Sequence, residues 1–148
     1  MDEDQKMRNS GKLDQAVDFK NTETLKGIIK EQGWPDSRMV GKQAALAAWL
    51  LAQHADHDLK FQIRCLHLME RVPIRHRDRA HIAYLIDRIL IHQRKPQKYG
   101  TQFRLFRGKL KPKPLMSPET VNIRRRRMGL SSLESYRKKL QKRVDREK

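Results

Sequence analysis

A single cysteine, Cys65, excludes a disulfide within the chain. It stands in LKFQIRCLHLM, among apolar neighbours, and reads as an inert core thiol rather than a nucleophile. One unpaired thiol suits a reducing compartment, so a cytoplasmic protein is expected. No apolar run approaches the roughly 18 residues that a membrane helix needs. The opening, MDEDQKMRNS, is acidic and polar, which predicts no secretory leader. There is no cysteine pair and no H-E-x-x-H, so neither metal nor cofactor is expected. Zinc-finger and RRM signatures and a clear helix-turn-helix are missing too, which leaves sequence-specific nucleic-acid readout without support. Acidic residues are scarce, 17 against 34 Lys and Arg, for a net charge of +17.

That imbalance sits at the back of the chain. Residues 91–148 hold 19 Lys and Arg against 4 Asp and Glu, while residues 1–90 hold 15 against 13. A cationic surface of this kind concentrates anions: nucleic acid, nucleotides, phosphates or acidic membranes. Hydrophobic residues at 37% and charged residues at 34% describe a polar chain that still affords one core.

Apolar spacing predicts a mainly α fold of about five to six helices with one irregular loop or short hairpin. Residues 1–14 are expected to be disordered, and 15–148 to form a single helical domain with a basic helical segment over 117–148. Leu25, Ile28 and Ile29 share a face of the first helix, with Asn21 or Thr22 as cap and Gly33 at its end. WPDSRMVG reads as a turn. In KQAALAAWLLAQHA, Ala45, Ala48, Trp49 and Ala52 form a stripe that Leu46, Leu50 and Leu51 widen, which predicts a central helix. An aspartate at the end of QHADHD and Asp78 are placed to cap the next two helices. FRLFRGKLKP alternates apolar and basic residues around Gly108, as a small hairpin or extended chain does. Ser117 is positioned to cap one late helix, and Ser131 with Glu134 forms a capping box for the last.

Three polar patches interrupt these apolar settings. In QHADHD, Gln53 continues the stripe expected to face the core. His54 with Asp56 nearby is a pair that general acid–base chemistry uses, while helix termination is the simpler explanation of the same residues. In AYLIDR, Asp87 and Arg88 stand at the edge of a buried face. They form a bridge between helices, or else Arg88 clamps an anion with its planar fork. In QKYGTQ, Gly100 permits positive φ, while Gln97, Tyr99, Thr101 and Gln102 present donors and acceptors to a ligand or to the loop itself.

GWP, QHAD, AYLIDR and QKYGTQ in this order, with DFKNT before them and NIRRRRMGL and ESY after, resemble a bacterial domain family of unknown function. The resemblance runs from about Asp18 to Tyr136. It implies a small, mostly helical intracellular bacterial protein with no established activity. Its pattern passes through Gln53, His54, Asp56, Asp87, Arg88, Gln97, Tyr99, Gly100, Thr101 and Gln102. This chain departs from it in RRRR at 124–127, in the basic FRLFRGKLKPKPL, and in lacking a glycine before Gln97.

The expected function is a polar pocket that binds or processes an anionic ligand, with the QKYGTQ loop folded over the end of the central helix. His54 and Asp56 would be catalytic there. Gln53, Asp87, Arg88, Gln97, Tyr99, Thr101 and Gln102 would position the substrate. No Ser or Cys nucleophile presents itself. The alternative is a non-enzymatic nucleic-acid binder that uses Arg124, Arg125, Arg126, Arg127, Lys138 and Lys139 on phosphates, with Tyr136, Phe103 and Phe106 stacking. A partner-binding adaptor is the third reading, with Leu133, Tyr136, Leu140 and Val144 as its docking stripe.

Overall fold

The spacing of apolar residues becomes helix over most of the chain. The computed structural model describes the backbone from Glu3 and side chains from Asp14; of the residues 1–14 expected to be disordered, 1 and 2 lie outside the described residues and the backbone from Glu3 is helical. Among the described residues the fold is mainly α, with seven helices and one two-stranded antiparallel sheet. No described helix is long and apolar enough to cross a membrane. The chain divides into two compact units, Met1–Arg77 and Asp78–Lys148.

The first unit holds α1 (Glu3–Gln32), α2 (Ser37–Val40), α3 (Lys42–Gln53), α4 (Leu59–Arg71) and a 3-10 turn at Ile74–His76. Helix α1 ends at Gly33, whose φ of 78° lets its amide return to the Ile29 carbonyl at 2.9 Å. Thr22 lies inside α1 rather than at its start, and its hydroxyl donates to the Asp18 carbonyl at 2.8 Å. The turn expected at WPDSRMVG holds one turn of helix, α2, capped by Asp36, whose carboxylate accepts from the Arg38 amide. Helix α3 packs on α1 and α4. Its buried stripe is Ala48 and Ala52, while Leu46 and Leu50 are exposed at 42% and 41%. The contact thus follows the small residues and leaves flanking leucines uncovered. Leu25, Ile29, Ala55, Phe61, Cys65, Met69 and Val72 complete the unit's buried apolar set, each large one contributing roughly 1.5–3 kcal/mol.

The second unit holds α5 (Arg79–His92), β1 (Phe103–Phe106), β2 (Lys109–Pro112), a 3-10 turn at Pro118–Thr120, α6 (Val121–Arg127) and α7 (Leu133–Arg146). Asp78 caps α5 through the His81 amide at 3.0 Å. The alternating segment does form a hairpin. Its two-residue turn, Arg107-Gly108, has positive φ at both positions, 50° and 78°, as the right-handed twist of the strands requires. Ser117 does not cap a helix; its φ is 41° and a 3-10 turn follows. The cap of α7 is Ser132, one residue beyond the expected Ser131, with its hydroxyl accepting from the Ser135 amide at 3.2 Å. Strand β2 packs against α7.

Candidate functional site

In the first unit, α3 ends at Gln53 and the chain turns sharply into α4. Gln53 is buried, while His54, Asp56 and His57 are exposed. Gln62 of α4 organises the turn. Its side-chain Nε2 donates to the Ala52 carbonyl at 3.1 Å, the Gln53 carbonyl at 3.2 Å and Asp56 Oδ1 at 3.0 Å. His57 stacks on Phe19 with ring centres 4.8 Å apart. Asp58 caps α4 through the Phe61 amide at 3.1 Å and meets Lys26 of α1 at 2.7 Å. The side-chain hydrogen bond from Lys26 holds the Asp58 carboxyl below its usual range. Asp58 is thus a helix cap and a tether to α1. The amide oxygens of Gln53 and Gln62 are buried without a hydrogen-bond donor, which is costly unless a bound group supplies one.

Gln62 escaped the sequence reading. It shares a helical face with the apolar Leu59, Cys65 and Leu66 and is fully buried. A polar side chain in that phase was the available signal.

The second unit brings two of the expected site residues, Tyr99 and Thr101, onto the carboxylate of a third, Asp87, and ties Gln97 and Gln102 into the same loop. Asp87 of α5 is fully buried. Its Oδ1 accepts from the Lys98 and Tyr99 amides at 2.7 and 2.9 Å, and its Oδ2 from the Thr101 amide and hydroxyl at 3.0 and 2.9 Å. Burial pushes the Asp87 carboxyl up, while the four hydrogen bonds oppose that shift. All four donors point at the carboxylate, so the geometry is that of its ionised form.

Gln97 is fully buried, and its side chain acts as a short piece of backbone. Its Nε2 donates to the Gln102 and Lys113 carbonyls at 2.8 and 3.0 Å, and its Oε1 accepts from the Gln102 amide at 2.9 Å. Gly100 has φ 67°, a conformation that favours glycine, and a Cβ there would stand 2.8 Å from a Leu133 methyl, which would have to move aside. Arg88, beside Asp87 on α5, is half-buried and engaged in interactions of its own. The expectation that this loop covers His54 and Asp56 joins residues of different units.

The arginine run divides sharply. Arg125 is 1% exposed. It donates from Nε to the Ser131 carbonyl at 2.6 Å and from Nη1 to the Tyr99 and Gly100 carbonyls at 2.7 and 3.2 Å. Its guanidinium lies 5.1 Å from the Tyr136 ring centre, and its Nη2 is buried without a hydrogen bond. Burial lowers its pKa, opposed by Tyr84, Tyr136 and Asp87. Arg124 donates to the Lys98 carbonyl at 2.8 Å and to the Thr120 hydroxyl at 2.7 Å. Arg126 and Arg127 are exposed, as are Lys138 and Lys139 on α7. Asp87 and Arg125 therefore grip the same loop, one by its amides and the other by its carbonyls.

A separate open groove of about 370 Å³ lies where the hairpin turn meets α7. Four cations line it, Arg107, Lys109, Arg137 and Lys148, with Gln141 and Asp145. Gln141 fixes its floor by accepting from the Leu110 amide at 2.8 Å and donating to the Gly108 carbonyl at 2.9 Å. Among the described residues no cluster of three or more His, Cys, Asp or Glu could hold a metal ion. Burial pushes the Cys65 thiol up to about 12, which keeps it protonated and inert at neutral pH.

A family model, described as "Family of unknown function (DUF6624)", matches residues 10–145. The chain belongs to that family. No curated protein and no solved structure matches it. As a DUF6624 member it carries the Asp87 loop anchor and the cationic groove within the matched span, except for Lys148.

Proposed function

We propose that the chain binds polyanions, with the phosphate backbone of nucleic acid as the ligand, through the groove between the hairpin turn and α7. The observation that carries this reading is four cationic side chains around one open concavity that contains a single carboxylate. Asp145 is turned to its own helix, with its Oδ1 accepting from Gln141 at 3.1 Å and lying 3.8 Å from Lys148. Arg126, Arg127, Lys138 and Lys139 extend the field around the groove and raise the local concentration of phosphate. The setting we propose is a bacterial cytoplasm, in keeping with the resemblance and the unpaired Cys65.

Salt dependence tests the reading. Each phosphate contact with a single strand contributes about 0.7 to the slope of log affinity against log salt, so the four groove cations give a slope of about 3. Arg137→Ala should reduce that slope by about one contact and weaken binding to all sequences alike. Affinity that does not respond to salt, or an unchanged slope in Arg137→Ala, would sink it.

A second reading is favoured by the two unpartnered amide oxygens of Gln53 and Gln62. They suit a small ligand rich in donors, with His54 and Asp56 at the same turn as the acid–base pair.

A further inference from the structure

The hairpin register decides which side chains share a face. Phe103 pairs with Pro112 and Leu105 with Leu110; between them Arg104 pairs with Lys111 and Phe106 with Lys109. Directly opposed residues point to the same side, and sides alternate along a strand. One face is therefore Phe103, Leu105, Leu110 and Pro112. Phe103 meets the Tyr136 ring of α7 edge-on, with ring centres 5.7 Å apart, and Tyr136 in turn meets Tyr84 at 6.1 Å. Those aromatics are committed to packing. The other face is Arg104, Phe106, Lys109 and Lys111, all exposed, with Phe106 at 48%.

Phe106 sits inside a ring of positive charge. The Arg107 guanidinium and the Lys111 ammonium each lie 5.2 Å from its ring centre. None of Arg104, Arg107, Lys109 and Lys111 has a carboxylate partner among the described residues, and the chain has no acidic residue from Arg88 through Pro118. Arg107 adopts a positive φ in a turn position that favours Asn, Asp or Gly. Like charges crowded about an exposed aromatic ring repel one another, and weak cation–π contacts at an exposed site do little to offset that. A ligand that brings both a flat ring and negative charge satisfies every group on this face.

We propose that the outer face of the hairpin is a stacking platform for single-stranded nucleic acid. One unpaired base lies on the Phe106 ring in place of a cation now over it. Arg104, Lys109 and the displaced cation take the flanking phosphates. An unpaired base is required because the base faces of a duplex are already stacked. Arg107 and Lys109 also line the groove, so the two surfaces are continuous. The inference rests on the polyanion reading and narrows it to a ligand class.

The test measures binding of the full chain to three probes at one salt concentration. They are an oligothymidylate of about 12 nucleotides, a duplex of equal length, and inorganic polyphosphate. The wild type should prefer the single strand. Phe106→Ala should weaken single-strand binding about tenfold and leave polyphosphate binding unchanged, and Phe106→Trp should retain the single-strand affinity. Phe106 is exposed, so far-UV circular dichroism should show the variants folded. Equal loss on all three probes, or no loss on any, would overturn the stacking platform while leaving polyanion binding in place. A wild type that binds none of the probes would overturn both.

Discussion

Thr101 donates both its amide and its hydroxyl to one oxygen of Asp87, at 3.0 and 2.9 Å, from fourteen residues further along the chain. With the Lys98 and Tyr99 amides on the other oxygen, one carboxylate fixes the course of the loop between α5 and the hairpin. Asp87→Ala would leave three backbone amides without that acceptor, so a loss of about 3–5 kcal/mol is expected. Asp87→Asn keeps the shape but turns an NH2 donor toward other donors, for about 2–3 kcal/mol. Thr101→Val removes the hydroxyl bond to Asp87 and the one the hydroxyl accepts from Gln102 Nε2, for about 1–2 kcal/mol. Denaturant midpoints at constant m-value measure all three. An Asp87→Asn protein as stable as the wild type would show that the loop is held by something else.

The local chemistry of this fold was legible in the sequence, and the distant pairing was not. Asp78 reads correctly as a cap, and the capping aspartate expected in QHADHD is Asp58, because a cap and its amide lie three residues apart. The alternation around Gly108 read correctly as a hairpin, one of the two conformations it allowed. Asp87 reads in the sequence as a carboxylate in need of a partner, with an Asp–Arg bridge between helices as the expectation. Its partners are loop amides 11 to 14 residues away, and backbone donors carry no sequence signature. Leu46 and Leu50 show the same limit from the apolar side: periodicity gives a face and does not say how much of it a neighbour covers. In the candidate site, Gln97, Tyr99, Thr101 and Gln102 stand out in the sequence for their hydrogen-bonding groups. Most of those groups, side-chain and backbone, are spent on the loop's own geometry.

Asp58 ties acid sensitivity to the turn between α3 and α4. Its carboxyl pKa is depressed, first by the side-chain hydrogen bond from Lys26. A depressed folded-state value means that the unfolded chain binds the proton more readily. The stabilisation is therefore fully present above the ordinary value of 3.8 and is lost as pH falls through the depressed one. Asp58→Ala should cost about 1–2 kcal/mol at pH 7, from the cap and a partly exposed ion pair, and progressively less in acid. Asp58→Asn retains the cap and loses the pair, so its deficit at pH 7 should be under about 1 kcal/mol. Urea titrations at several pH values separate the two. A deficit that stays constant down to the acid limit would remove the ion pair from the account.

The four consecutive arginines test whether a charge run must be read as one surface. Val121 and Arg125 lie one helical turn apart on the buried face of α6, whereas Arg126 and Arg127 are exposed. Arg125 uses Nε for the Ser131 carbonyl and Nη1 for those of Tyr99 and Gly100, so it spans two segments that a single ammonium cannot reach together. Arg125→Ala should cost about 3–5 kcal/mol by leaving buried carbonyls unpaired, and Arg125→Lys should recover little of it. Arg126→Ala and Arg127→Ala should change stability by less than about 0.5 kcal/mol while weakening polyanion binding at low salt. Thermal or denaturant unfolding reads the first pair, and oligonucleotide affinity reads the second. If all four variants lost stability alike, or if Arg125→Lys behaved as wild type, the division of the run between a structural arginine and solvent-facing ones would be wrong.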